Sequence, residues 1–345
     1  MNIGMVGGGM VAIAHLKALE SIADVASVFV YTRNPARAAE LAKEFSKVCV
    51  AESLEILVMN VAGVIIATPN NTHLAVLRDI VSIKPLPVLC EKPLASSCEE
   101  GREFYRLAPP LSAVAFNYRF NKVLLSIIDL GRSAELGDIL HIDLALNRNS
   151  ALTKKTIGWR DGASQNKSSG ACGDLGSHLL DIICYMTGSE IDRGSLRASL
   201  GIRVPMREGV VLTEDDHCIM TGTTDSRAHF KLQVSKSAED AELGFHAHIT
   251  FERGEIRYSS RSPDLIALKL MARPGVTEVA IGSSRIIADP VTEVPFWSDS
   301  FYFQNEAWVK QIATGSFDGR MADIKAGLMI QDLLSIATRS AEKNK

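Results

Sequence analysis

Asp174 and His178 stand four residues apart and Asp181 three beyond, a spacing that places three polar side chains on roughly one face of a helix. Leu175, Leu179, Ile182, Ile183 and Met186 predict that helix, and Gly188 predicts its end. An imidazole flanked by carboxylates on a mainly apolar helix is a candidate proton carrier, since histidine changes charge near neutral pH. A second candidate lies in "VLCEKPLASS", Val88 to Ser97, where Glu91, Lys92 and Pro93 follow an apolar run. A proline disfavours helical backbone in the residue before it, so Lys92 is expected to be extended with its amine aimed in a fixed direction. His178 is assigned as general acid/base and Lys92 as the charge that polarises and orients a substrate oxygen. Asp174 binds a substrate hydroxyl or positions that pair, and Asp181 is read as structural.

The elements that position these groups start at the N-terminus. Asn2 to Val6 is a short apolar strand, Gly7-Gly8-Gly9 a turn, and "MVAIAHLKALESI" has helical spacing. Gly7-x-Gly9-x-x-Ala12 fits a dinucleotide-binding turn: the first glycine permits the tight turn, the second lets a pyrophosphate approach, and the small third residue lets helix and strand pack. Gly7, Gly9, Met10 and Val11 are the residues expected against the phosphates. The next strand, "ASVFVY", ends at Tyr31, where an NAD-binding turn of this kind usually has an acid for the ribose hydroxyl. Here stand Thr32 and Arg33, a hydroxyl and a guanidinium suited to a 2′-phosphate. One unit charge pair at ~4 Å and an effective dielectric of ~20 is worth about 4 kcal/mol, less for an exposed arginine. NADP is therefore the expected cofactor, with NAD use open.

"NPARAAELAKEF" opens a helix with Asn34 as cap and Pro35 in its first turn. "VAGVIIATPNNTHLAVL" supplies a buried strand, a turn and a further helix near Thr72, and "PLPVLC" another strand. Strands alternating with helices predict a Rossmann-type α/β domain with a doubly wound parallel sheet, whose ligand crevice lies at the strands' carboxyl ends. Thr68, Pro69, Asn70, His73, Glu91 and Lys92 all fall at such ends and are candidate cofactor contacts. His73 serves equally well as a structural residue at a helix start.

"AFNYRFN" leads out of this first domain, taken as residues 1–120. Arg119 there is read as a substrate or cofactor contact, or as half of an ion pair at the domain junction. "TIGWRDGASQNKSSG" is read as a loop over the site, with Trp159 and Arg160 stacking on and hydrogen-bonding a sugar, or capping the surface. "ILHIDLAL", "HCIMTGTT", "AHFKLQVS", "FHAHITFE" and "GEIRYSS" alternate as strands, so residues 121–345 are expected to form a second α/β domain with a large sheet, closed by two C-terminal helices. A sheet with one polar face packs on helices or pairs with another copy, which predicts a homodimer or homotetramer.

With 345 residues, the chain exceeds the size at which one core stops growing, in keeping with two domains. A net charge of −3 without like-charge blocks gives no footprint for nucleic acid or an anionic membrane. The six cysteines form no CxxC pair and no histidine cluster has metal-ligand spacing, so reduced thiols and no metal are expected. The start "MNIGMVGGG" lacks the features of a signal peptide, and apolar runs such as "VAGVIIA" fall far short of the ~20 residues of a membrane span; a cytoplasmic protein is expected.

The glycine turn, "ATPNNTH", "CEKPLA" and "GACGDLGSHLLDIICYMTG" together resemble the Gfo/Idh/MocA family of NAD(P)-dependent oxidoreductases, which act mainly on sugars, inositols and related polyols. The resemblance covers the first 120 residues and about Gly158 to Gly188. It implies a dinucleotide-binding domain followed by an α/β domain with a large, mostly antiparallel sheet that holds substrate and often forms the oligomer contact. It also implies that Lys92 sits near nicotinamide and substrate oxygen, and that the family's Asp-x-x-x-His falls on Asp174 and His178. Thr32 departs from the acid that many members carry. The expected activity is interconversion of a hydroxyl with a ketone or aldehyde on a sugar-like substrate. Two rivals are a non-catalytic dinucleotide-binding regulator, which needs only the binding loop, and an NAD-dependent glycoside hydrolase.

Overall fold

The computed structural model describes residues 1–156, 170–289 and 293–342. Six short apolar stretches form parallel strands β1 (Asn2–Val6), β2 (Ser27–Tyr31), β3 (Val48–Val50), β4 (Val64–Ile66), β5 (Val88–Cys90) and β6 (Ala113–Val114). Between them run α1 (Met10–Ser21), α2 (Pro35–Glu44), α3 (Leu54–Met59), α4 (His73–Ile83) and α5 (Cys98–Leu107). The sheet order is β6-β5-β4-β1-β2-β3. Every residue of β4 and β5 is buried, as parallel strands covered on both faces require. The order reverses between β1 and β4, and beyond the carboxyl ends of strands at such a reversal lies the crevice that takes a nucleotide. Local chemistry sets the element starts: Asn34 Oδ1 accepts the Ala36 N–H at 3.1 Å with Pro35 at the head of α2.

The chain forms two compact units, the first comprising Met1–Phe120, Ile286–Ala288 and Ser298–Gln331, and the second the rest. The first unit is thus discontinuous in sequence: the chain leaves it after Phe120 and returns to it near its end. Trp308, fully buried, joins Ile3, Leu16, Leu19 and Leu89 in one core, and Ala322–Asp323 adds an antiparallel edge strand to β6. Helical spacing shows that a face of such a segment must be buried, not which core receives it.

In the second unit, α6 (Lys122–Gly131) precedes β7 (Ile139–Asn147), α7 (Ser150–Thr153) and α8 (Ser177–Thr187). Strands β8 (Arg197–Gly201), β9 (Met206–Arg207), β10 (Val210–Val211), β11 (His217–Thr223), β12 (His229–Ser235), β13 (Gly244–Phe251), β14 (Gly254–Ser259), β15 (Leu265–Leu270) and β16 (Thr277–Ala280) follow. Eight of these strands form one sheet, ordered β16-β15-β14-β13-β7-β12-β11-β8. The sheet is antiparallel throughout except where β7 lies parallel to β12. Alternation decides the faces: Ile142, Leu144 and Leu146 are buried with Phe230, Leu232 and Val234, while Asp143, Lys231, His246 and His248 stay partly exposed. No helix among the described residues is long and apolar enough to cross a membrane.

Candidate active site

β1 runs directly into Gly7, whose φ of +121° belongs to glycine; an added Cβ would lie 2.3 Å from the Ala67 carbonyl oxygen. Gly9 then stands at the N-cap of α1, which has no side-chain cap and no acid in its first turn. Nothing lies within 4 Å of where a Gly9 Cβ would be, and Met10 is 81% exposed. A helix start with no side-chain cap, no acid in its first turn and open space beside Gly9 fits a pyrophosphate. Val11 is half-buried one residue further along.

Past β2, Thr32 is half-buried and Arg33 exposed. The Thr32 hydroxyl donates to the Asn34 carbonyl. Arg37, which the sequence reading did not single out, lies beside Thr32: Cβ at Gly8 would be 3.0 Å from both Arg37 Cγ and Thr32 Cγ2. Its Nε–H donates to the Gly8 carbonyl at 3.0 Å and Nη1–H to Glu40 Oε2 at 2.8 Å. Its position four residues after Arg33, in the first turn of a helix opened by Pro35, was the available signal.

The loops after β4 and β5 are tied together. Asn70 Nδ2 donates to the Ala95 carbonyl at 3.4 Å. His73 sets Nε2 2.9 Å from the Thr68 carbonyl and Nδ1 3.2 Å from that of Leu94. Burial pushes His73 below the usual histidine value, against the backbone carbonyls, which favour its charged form. Both nitrogens face backbone, so His73 holds the two loops in register and keeps Thr68 and Pro69 beside the Glu91 segment. The Thr72 hydroxyl donates to the Pro69 carbonyl at 2.6 Å and lies 2.8 Å from Thr68 Oγ1.

Glu91 is buried and Lys92 half-buried at the carboxyl end of β5, and the Lys92–Pro93 peptide is cis. Glu91 Oε2 accepts the Lys92 N–H at 3.1 Å and Oε1 lies 2.9 Å from His15 Nε2, on α1. Arg119 is buried in the same unit, with Nη1–H donating to the Met321 carbonyl at 3.3 Å.

In the second unit the expected helix around His178 has two parts: a wide π-type turn, Cys172–Gly176, then α8. A π turn widens the ladder by one residue and re-aims the side chains it carries. Its start is anchored by Asp215, whose backbone carbonyl accepts the Ala171 N–H and whose Oδ2 accepts the Cys172 N–H, each at 2.7 Å. Burial raises the Asp215 carboxyl above its ordinary range. Asp174, on the π turn, places Oδ2 3.0 Å from Lys236 Nζ, which also donates to the Gly170 carbonyl at 3.3 Å. His178 and Asp181 are buried on α8, and Gly188 ends the helix at φ +60°. Lys236 was missed; a lone cation one residue past the end of an alternating strand, "KLQVSK", is its only trace in sequence. Trp159 and Arg160 lie outside the described residues. Among the described residues no cluster of three histidine, cysteine or acidic side chains is placed to hold a metal, and all six cysteines are free thiols.

Residues 1–118 match the family described as "Oxidoreductase family, NAD-binding Rossmann fold", and residues 132–345 match its "C-terminal alpha/beta domain". A glucose-6-phosphate 3-dehydrogenase of Bacillus subtilis is 32% identical over 311 residues, covering 89% of this chain and 87% of its own. A levoglucosan dehydrogenase of Pseudarthrobacter phenanthrenivorans is 28% identical over 221 residues, 60% of this chain and 55% of that protein. The solved structure of a levoglucosan dehydrogenase in complex with NADH and levoglucosan superposes with a TM-score of 0.83 at 21% identity, covering 100% of this chain and 98% of that one. At that identity the likeness concerns the fold.

Proposed function

Because the chain belongs to the Gfo/Idh/MocA family of nicotinamide-dinucleotide-dependent oxidoreductases, we propose that it interconverts a hydroxyl and a carbonyl on a sugar, with NADP as preferred cofactor. Lys92 carries this reading: a half-buried amine at a strand's carboxyl end, in the unit whose glycine turn fits a pyrophosphate. The bound nicotinamide supplies or accepts the hydride. Lys92 polarises the substrate oxygen, His178 moves its proton, and Asp174, set by Lys236, accepts a neighbouring hydroxyl. Gly7, Gly9, Met10 and Val11 would receive the pyrophosphate, and Thr68, Pro69 and Asn70 are further proposed cofactor contacts. Arg119, Trp159 and Arg160 belong to the proposed substrate contacts.

Support for NADP comes from the missing acid at Thr32 and from two guanidiniums, Arg33 and Arg37, at that corner of the crevice. Support for a sugar comes from the named dehydrogenases above. One of them is named for a phosphorylated hexose, so sugar phosphates head the substrate panel. The half-exposed face of the eight-stranded sheet carries both Asp143 and Lys231, and a second copy is its proposed partner, in a homodimer or homotetramer.

The test measures oxidation of aldoses, polyols and sugar phosphates with NADP and with NAD, for the wild type, Lys92→Ala and His178→Ala. Removing an acid–base group should lower kcat by roughly 10²–10⁴-fold. Wild-type turnover in both variants would refute the mechanism. A protein that binds the dinucleotide but turns over nothing on the panel would be the regulator instead.

A further inference from the structure

His15 and Asn305 join Glu91 in a buried chain of hydrogen bonds that ends at Lys92. His15 is fully buried, with Nδ1 3.0 Å from Asn305 Oδ1 and Nε2 2.9 Å from Glu91 Oε1. Asn305 Nδ2 donates to the His15 carbonyl at 3.4 Å, which fixes the direction of its amide; the reverse orientation would set two oxygens against each other. Asn305 Oδ1 can then only accept, so His15 Nδ1 carries a hydrogen. A neutral ring protonated there would turn a bare Nε2 towards Glu91, and a carboxylate facing it would leave two lone pairs opposed in a buried contact. One proton therefore lies between Nε2 and Oε1, as imidazolium with carboxylate or as imidazole with carboxylic acid. Either way the pair has no net charge. The second oxygen of Glu91 is used as well, on the Lys92 backbone N–H at 3.1 Å.

We propose that His15 is a positioning residue for Lys92: through Glu91 it fixes the backbone that carries the amine and cancels the carboxylate charge next to it. An uncancelled carboxylate at position 91 would compete with the substrate oxygen for the Lys92 ammonium. The shared proton removes that competitor while both oxygens keep their hydrogen bonds. Asn305, brought from a helix late in the chain, selects the tautomer. This inference rests on the reading of Lys92 as the group that polarises the substrate oxygen.

The test compares His15→Gln, Glu91→Gln and the double variant with wild type, by kcat, substrate KM and NADPH affinity from nucleotide fluorescence. His15→Gln should lower kcat roughly 10- to 100-fold, the range that misplacing a catalytic group costs, with NADPH affinity and KM near wild type. Adding Glu91→Gln removes the stranded charge and should restore most of kcat. A double variant as slow as the slower single, or His15→Gln at wild-type kcat, overturns the proposal. Lys92→Met separates the two readings: if it turns over normally, Lys92 has no role and this inference falls with it. If it is slow while His15→Gln is normal, only the inference fails. Should His15→Gln not fold, the ring ¹⁵N resonances of the wild-type NADP complex decide. A His15 ring with hydrogen on Nδ1, identified by its contact with the Asn305 side chain, is expected, and a bare Nδ1 overturns the proposal.

Discussion

Lys236 Nζ lies 3.0 Å from Asp174 Oδ2, with their side chains 14% and 21% exposed. Such a pair sits between the exposed ion pairs that contribute little and the buried ones that are costly to break. Lys236 also bonds the Gly170 carbonyl, so it holds both the carboxylate and the start of the π turn. Lys236→Met should cost about 1–2 kcal/mol of stability and raise substrate KM, because Asp174 loses the partner that aims it. Lys236→Arg should keep most of both. Thermal unfolding and steady-state kinetics check this; unchanged KM in Lys236→Met would detach Asp174 from substrate binding.

Gly7 and Gly9 make opposite demands. At Gly7 a methyl group meets the Ala67 carbonyl at 2.3 Å on a backbone with φ +121°, whereas at Gly9 it meets nothing within 4 Å. Gly7→Ala should therefore destabilise the fold by more than the roughly 1 kcal/mol of the backbone conformation alone. Gly9→Ala should leave the melting temperature near wild type yet weaken dinucleotide binding, since its methyl group occupies the approach to the α1 N-terminus. Calorimetry and nucleotide titration on the two variants separate the effects. A Gly9→Ala protein with wild-type nucleotide affinity would place the pyrophosphate elsewhere.

Thr32 and Arg37 flank Gly8, and Arg33 is exposed beside them. A 2′-phosphate bound here, as proposed, would have Arg37 and the neighbouring exposed Arg33 as its candidate guanidinium partners. Of these, Arg37 is already oriented by the Gly8 carbonyl and shared with Glu40. Arg33→Ala and Arg37→Ala should each weaken NADP binding by roughly 10-fold with little effect on NAD, in line with about 1–2 kcal/mol for a partly exposed charge-assisted bond. Thr32→Asp should reverse the preference by setting a carboxylate against the phosphate. Equal affinities for the two nucleotides in the wild type would remove the basis for all three expectations.

What the sequence could show depended on the distance over which each feature is built. Asn34 with Pro35, the glycine turn and Gly188 are local chemistry, and each holds its predicted place. The alternating strands of the second sheet were legible where one face is buried, as in β7, β12 and β13. The exposed edge strand β16, four residues long, gave no alternation to find. The contacts behind the proposed site come from far along the chain: His15 reaches Glu91 across 76 residues, and Asn305 reaches His15 across 290. Periodicity marks His15 only as a residue on a buried helix face, and nothing local says that its partner is an acid. The π turn before His178 escaped for a different reason: its residues have the same apolar spacing as a plain helix, and its anchor, Asp215, arrives from a later segment.

His73 and Asp215 give the protein two opposed pH responses. Burial lowers the folded pKa of His73 below its ordinary 6.5. As pH falls through about 6.5, unfolded chains take up a proton that folded His73 refuses. The stability it contributes is thus fully present above that pH and is lost on acidification, with a limiting slope of about 1.4 kcal/mol per pH unit. Asp215 runs the other way. Burial raises its folded pKa above 3.8, so below that raised value the folded state holds the extra proton and stability grows as pH falls. Urea unfolding of wild type and His73→Gln between pH 7.5 and 5.5 distinguishes the two. The variant should be less stable at every pH, having lost ties to Thr68 and Leu94, but its stability should fall less steeply with acid. Asp215→Asn should fall more steeply than wild type wherever Asp215 titrates in that window. Parallel curves for wild type and His73→Gln would mean that the acid sensitivity originates in another group and that folded His73 takes its proton as readily as an unfolded one.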